Sequence, residues 1–190
     1  ALNHASLIDG TRLAGVRNKW IYTHNDINHL QALLANNANT LSTQNVNLLI
    51  SDSVFSMDGD AAHLSQLAKV ARQHDLALLL DDAHGLGVFG EEGQGLVSAN
   101  TDDFPLLVGT FGKSLGGYGA FVAGDHEVID YLTQRCRTAI FTTAMPPALA
   151  AQNAMAINIV RRETWRRDAL HQNIAYFKQK AAQLGLAILP

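Results

Sequence analysis

A single cysteine, Cys136, stands in a chain of 190 residues. It can close no internal disulfide, and there is no cysteine cluster to hold zinc. Such scarcity makes a reducing, cytoplasmic compartment the default expectation. No apolar run approaches the roughly 20 residues needed to span a bilayer, so no membrane partner is expected. No charged stretch followed by an apolar one opens the chain, and no secretory signal is read. Fourteen Lys and Arg against seventeen Asp and Glu leave a net charge of −3. Without a basic excess, a dedicated nucleic-acid binder is not expected. The chain starts at Ala1 instead of a methionine and stops at Leu189-Pro190, a few residues into what reads as a further strand. It reads as an interior segment of a longer protein.

What is present is an ordinary globular composition, 47% hydrophobic and 16% charged, on a chain long enough to bury a core. Asn45-Val46-Asn47-Leu48-Leu49-Ile50-Ser51 is short, apolar and rich in branched residues, the signature of a strand. Leu76-Ala77-Leu78-Leu79-Leu80 runs without alternation into Asp81-Asp82, as strands covered on both faces do. Trp20-Ile21-Tyr22, Leu106-Leu107-Val108 and Ala120-Phe121-Val122-Ala123 are further strand candidates. Between them, helix faces are spelled by Ile27, Leu30, Leu33 and Leu34, by Leu64, Leu67, Ala68 and Ala71, and by Val128, Ile129, Leu132 and Cys136. Beyond Pro147 the pattern turns helical, and Trp165 to Gln183 is expected as one long amphipathic helix stopped by Gly185. Residues 36–44 form a polar surface connection. Strands alternating with helices give an α/β class, with a mostly parallel sheet flanked by helices.

Ligands of open α/β sheets bind beyond the carboxyl ends of the strands. Three polar clusters fall there: Asp52 to Asp60, Asp81 to Gly87, and Gly109 to Gly117. Lys113 lies between glycines directly after a buried strand, where a merely solvated lysine is less expected and backbone can approach a ligand closely. It belongs to no P-loop, because Leu107 stands where G-x-x-x-x-G-K-[ST] requires its first glycine. The remaining strong use of such a lysine is a Schiff base with a carbonyl cofactor. Asp81 could simply end its strand, but a carboxylate there also suits a pyridinium nitrogen, which it keeps protonated. Asp82 competes for that role, and pleat alternation cannot choose between them. His84 can share the site if the chain turns at Ala83. No two of the eight histidines stand in H-x-x-x-H spacing with a nearby acid (His24 and His29 are five apart), so no metal is expected. No serine is read as the G-x-S-x-G nucleophile of a hydrolase.

Four stretches, Asn3-His4-Ala5-Ser6-Leu7-Ile8-Asp9-Gly10, Phe55-Ser56-Met57-Asp58-Gly59, Asp81-Asp82-Ala83-His84-Gly85 and Thr110-Phe111-Gly112-Lys113, resemble in order and spacing the α-oxoamine synthases. These are pyridoxal 5'-phosphate (PLP) enzymes of the aspartate-aminotransferase fold. By that resemblance Lys113 would carry the cofactor covalently, Asp81 would pair with its pyridinium nitrogen, and His84 would bond its phenolic oxygen. His4 would stack on the ring and meet the substrate, Ser56 would lie beside the cofactor, and Thr110 would contact its phosphate. Lys113, His4 and Asp81 would be the catalytic set. Thr142 and Thr143, before Met145-Pro146-Pro147, resemble a segment that reaches the neighbouring subunit's cofactor in a homodimer. The resemblance makes residues 1–160 part of a PLP-binding large domain, and 161–190 a helix and strand leading toward a C-terminal small domain. The family's reaction is a decarboxylating condensation of an amino acid with an acyl thioester. The pattern is nearest to members using L-alanine and a pimeloyl thioester, since glycine-using members more often carry alanine where Gly85 stands. The alternative outside enzymes, an incomplete cofactor-binding fragment or degenerate paralogue, is opposed by the intact set Asp81, His84 and Lys113.

Overall fold

A computed structural model describes residues 2–41, 44–97 and 106–189. Its centre is a four-stranded sheet in the order β1 (Leu48–Asp52), β2 (Ala77–Asp81), β3 (Leu106–Thr110), β4 (Ala120–Gly124). The first three strands are parallel, and β4 returns antiparallel to β3. The unbroken apolar run of β2 is explained by its central place, with Leu78 and Leu80 fully buried. In the ladder, Asp52 pairs with Asp81, and Asp81 with Val108. Three parallel strands therefore deliver their last residues to one edge.

The core lies between this sheet and two helices, α2 (Ile27–Asn36) and α3 (Leu64–Gln73). Leu30 and Leu34 form the buried stripe of α2, and Leu67, Ala68, Val70 and Ala71 that of α3, against Leu49, Phe55, Leu78 and Leu80. Each buried leucine contributes about 1.5–3 kcal/mol of transfer free energy. Asp26 caps α2 by accepting the His29 N–H at 2.9 Å. A nine-residue helix, α1 (Ala5–Leu13), precedes this unit and buries none of its side chains. After the sheet come α4 (His126–Arg135), α5 (Arg137–Ile140), α6 (Pro147–Arg162) and α7 (Trp165–Gln183). Pro147 opens α6 in the first turn, where its missing N–H costs nothing. Among the described residues no helix is long and apolar enough to cross a membrane.

Three sequence expectations need correction. Trp20-Ile21-Tyr22 forms no strand. Only Tyr22 enters the core, hydrogen-bonded to Ser51, while Trp20 and Ile21 stay exposed and pair with no ladder. Helix α7 has the expected span but is not amphipathic. Trp165 and Tyr176 lie on one side and Leu170, Ile174 and Phe177 on another, all exposed, and its buried residues are Arg167 and Ala181. The expected final strand is absent from 186–189, and Pro190 lies outside the described residues. Gly185 does end α7. At φ +68° it lets its own N–H reach Ala182 O at 3.1 Å and that of Leu186 reach Ala181 O at 3.0 Å. On α4 the predicted face is only half-buried.

Candidate active site

At the carboxyl ends of β1 and β2, Asp52 and Asp81 stand side by side, and β3 ends in Thr110, two residues beyond Val108, the ladder partner of Asp81. Asp81 is buried, and its Oδ1 accepts the Ala83 N–H at 3.0 Å, starting the turn that carries His84. Burial depresses the half-buried His84 imidazole, the Lys113 cation depresses it further, and Asp81 opposes both. A positive lysine, a carboxylate and an imidazole within each other's fields thus occupy one edge. Thr110 adds a hydroxyl whose Oγ1 is buried without a hydrogen-bond partner among the described residues. An orphaned buried polar atom costs about 1–3 kcal/mol, so it marks a place built for something to arrive.

Asp81 and Asp82 part company here. Asp82 accepts from Ser53 Oγ, from the Leu96 N–H at 3.0 Å and from the Val97 N–H. Burial pushes its carboxyl up, and these bonds pull back. A Cβ on Gly85 would overlap Asp82 Oδ1, and one on Gly95 would overlap Oδ2. Asp82 is therefore committed to folding residues 85–97, which leaves Asp81 to face the site.

Lys113 is exposed on a turn held from three directions. Ser114 Oγ donates to Leu86 O at 2.5 Å, joining the lysine turn to the His84 turn. From α6, Gln152 Nε2 donates to Gly116 O at 3.0 Å. Buried Asn153 donates to Tyr118 O at 2.9 Å and accepts the Tyr118 N–H at 3.4 Å. Nothing in the sequence pattern marked Asn153, an amide on a helix forty residues from the lysine. Asn153→Ala strands both Tyr118 backbone groups and is expected to cost about 1–3 kcal/mol, measured by urea denaturation of the full-length protein.

Asp52 was also missed as a site residue, though it ends its strand as Asp81 does. Burial pushes its carboxyl up to about 6. The His4 N–H bond lowers it, neighbouring Asp81 raises it, and the charges of His4 and Lys113 lower it. The His4 N–H reaches Asp52 Oδ2 at 2.7 Å, while the His4 ring is exposed with Nδ1 2.8 Å from Ser6 Oγ. Ser56 sits on an exposed turn and forms no hydrogen bond to this cluster. Thr142 and Thr143 are exposed ahead of α6.

Two motif matches escaped the sequence reading, and both dissolve in the fold. Gly112-Lys113-Ser114-Leu115-Gly116 does spell G-x-S-x-G, contrary to the expectation that no serine does so. Here β3 runs through a turn into antiparallel β4 instead of a helix, so Ser114 is no nucleophile elbow. Gly85-Leu86-Gly87-Val88-Phe89-Gly90 spells a dinucleotide fingerprint but opens no helix. Histidine spacing gave no hint of metal, yet His24, Asp58 and Asp60 bring ligand atoms within 4.8 Å of one another. Two of the three already serve each other, with His24 Nε2 3.0 Å from Asp60 Oδ2 and Asn25 Nδ2 on the same oxygen at 3.0 Å.

Comparison with known proteins adds three findings. The family model for class I and II aminotransferases matches residues 1–190. The 8-amino-7-oxononanoate synthase of Alkalilimnicola ehrlichii is 47% identical over 192 residues, covering 100% of this chain and 48% of the relative. The chain thus spans about half the length of the curated relatives it matches. Among solved structures, a serine palmitoyltransferase of Sphingomonas wittichii superposes with a TM-score of 0.88 at 32% identity, covering 97% of this chain and 46% of that one. The enzyme of the same name from S. paucimobilis, solved with a bound PLP–myriocin aldimine, gives 0.79 at 32% identity over 91% of this chain and 43% of that one.

Proposed function

Because the chain belongs to the class I and II aminotransferase family, we propose that it is the cofactor-holding part of a PLP-dependent 8-amino-7-oxononanoate synthase. The reaction joins L-alanine to a pimeloyl thioester of coenzyme A or a carrier protein, in biotin biosynthesis. Curated relatives carrying that name are 44–50% identical; among solved structures, one of that name from Francisella tularensis is 27% identical and two serine palmitoyltransferases are 32% identical. The observation that carries the reading is the meeting of Lys113, Asp81 and His84 beside the unpartnered Thr110 hydroxyl.

These residues fit PLP. Thr110 Oγ1 would take a phosphate oxygen, and Asp81 would keep the ring nitrogen protonated. The depressed His84 imidazole, neutral near pH 7, would exchange a hydrogen bond with the phenolic oxygen. Lys113 Nζ would hold the cofactor covalently, Ser56 would lie beside it, and His4 would cover the ring. Bound PLP supplies an electron sink for bonds breaking at the amino acid's α-carbon. Once the amino group of L-alanine has displaced it from the cofactor, the freed Lys113 Nζ would take the α-proton of L-alanine. The α-carbon bonds to the acyl carbonyl, the C–S bond breaks to release a thiol, and the carboxylate leaves as carbon dioxide, replaced by a proton.

Thr142 and Thr143 would reach the partner subunit's cofactor in a homodimer, and one cysteine with no basic excess suits a cytoplasmic protein. The break between α6 and α7 at Glu163-Thr164 supports a boundary near residue 160 between the large domain and the passage to a smaller one.

The test is reduction of the full-length protein with borohydride in the presence of PLP, followed by peptide mass spectrometry. Label on Lys113 alone is expected, and label scattered over Lys19, Lys69, Lys178 and Lys180 would defeat the reading. Turnover with L-alanine well above that with glycine separates this enzyme from glycine-using α-oxoamine synthases.

A further inference from the structure

Resting on that reading, we propose that Asp52 is the positioning residue for His4, acting as a hydrogen-bond acceptor that pins the histidine's backbone to the edge of the sheet where Asp81 lies.

The segment before α1 has almost nothing else to hold it. Helix α1 buries no side chain, and Leu2 and His4 are exposed. Polar contacts therefore replace packing. The His4 N–H donates to Asp52 Oδ2 at 2.7 Å, a short bond to a buried carboxyl. Asn3 supports it from the neighbouring position, donating from Nδ2 to Ile50 O at 3.1 Å and accepting the Asp52 N–H on Oδ1 at 3.4 Å. The Leu2 N–H adds a longer bond to His24 Nδ1 at 3.3 Å.

Geometry gives Asp52 its leverage. It shares a ladder rung with Asp81, so a backbone tied to Asp52 is carried at a fixed offset from the site's central carboxylate. Beyond that tie, among the described residues, the His4 ring is hydrogen-bonded by Ser6, its own helix's second residue. Asp52 fixes where the histidine stands, and Ser6 fixes how the ring turns. The acceptor matters more than the charge, because a carboxyl that holds its proton up to about pH 6 still offers an oxygen to the N–H.

The test compares Asp52→Ala and Asp52→Asn in the full-length protein, the amide being an acceptor without the charge. With cofactor removed, residue-resolved hydrogen exchange reads the His4 amide. With PLP bound, the cofactor's induced circular dichroism and the separate values of kcat and KM read the site. Asp52→Ala is expected to speed His4 exchange by about tenfold or more. It should also alter the dichroism and lower kcat by about 10–100-fold with little change in KM for L-alanine. Asp52→Asn, which keeps an acceptor, is expected to leave His4 exchange within about twofold of the parent. Unchanged exchange in Asp52→Ala overturns the proposal, and so does Asp52→Asn behaving like Asp52→Ala, which would assign the role to charge. Should Asp52→Ala not fold, the parent decides, since a His4 amide exchanging at the free-peptide rate overturns it too. Failure of the parent to label Lys113 would sink the functional reading and leave the exchange result standing.

Discussion

Gly95→Ala is expected to destabilise the protein by about 2–6 kcal/mol. Two costs combine. Gly95 has φ +96°, where a side chain is strained by about 1–3 kcal/mol. The new methyl group would also overlap Asp82 Oδ2, with no flexible neighbour to yield. Asp82 can retreat only by releasing at least one of Ser53 Oγ and the N–H groups of Leu96 and Val97, at about 1–3 kcal/mol for a donor left buried and unpaired. At roughly 2–4 °C per kcal/mol for a protein of this size, the melting temperature should fall by about 4–24 °C. Gly15→Ala is the control: Gly15 also has positive φ, but a Cβ there meets nothing within 4 Å. Equal losses at the two positions would mean that Asp82 does not organise residues 85–97. Gly85→Ala should fall between them, since it meets Asp82 Oδ1 without a positive φ. The glycine that suggested an alanine-using enzyme is thus held by a buried aspartate, whatever the substrate.

The strands of the core were legible because short apolar runs ending in polar turns fit strands buried on both faces; β2 and β3 follow those runs within two residues, and β1 begins three residues later than expected. Their order placed three polar clusters at one sheet edge, which is how Asp81, His84, Lys113 and Thr110 come together. What stayed hidden depends on contacts distant in sequence. Asp81 and Asp82 are both buried, and the choice between them is made by Ser53 and Leu96, 29 and 14 residues from Asp82. Asn153 earns its burial from Tyr118, 35 residues earlier. Trp20-Ile21-Tyr22 has the composition of a strand, but composition cannot supply a partner strand. The exposed apolar residues of α7 blur the face that the sequence pattern promised.

Lys113→Ala and Asp81→Asn should separate holding the cofactor from using it. Lys113→Ala removes the amine at the centre of the site, so borohydride should leave no stable adduct. Turnover should drop by at least about 10²–10⁴-fold, the worth of one positioned acid–base group. Asp81→Asn leaves Lys113 and its turn untouched, held as before by Ser114, Gln152 and Asn153. Label on Lys113 should persist, although on the proposed reading the ring nitrogen would lose the charge that keeps it protonated. Turnover should then fall by about 10²–10³-fold, the loss typical of one preorganised electrostatic partner. Asp82→Asn, one residue on, should act mainly on stability, because its carboxyl already spends its oxygens on Ser53, Leu96 and Val97. A turnover loss at Asp82 with Asp81→Asn nearly silent would reverse the assignment of the two aspartates. An adduct surviving in Lys113→Ala would remove the lysine from the reaction.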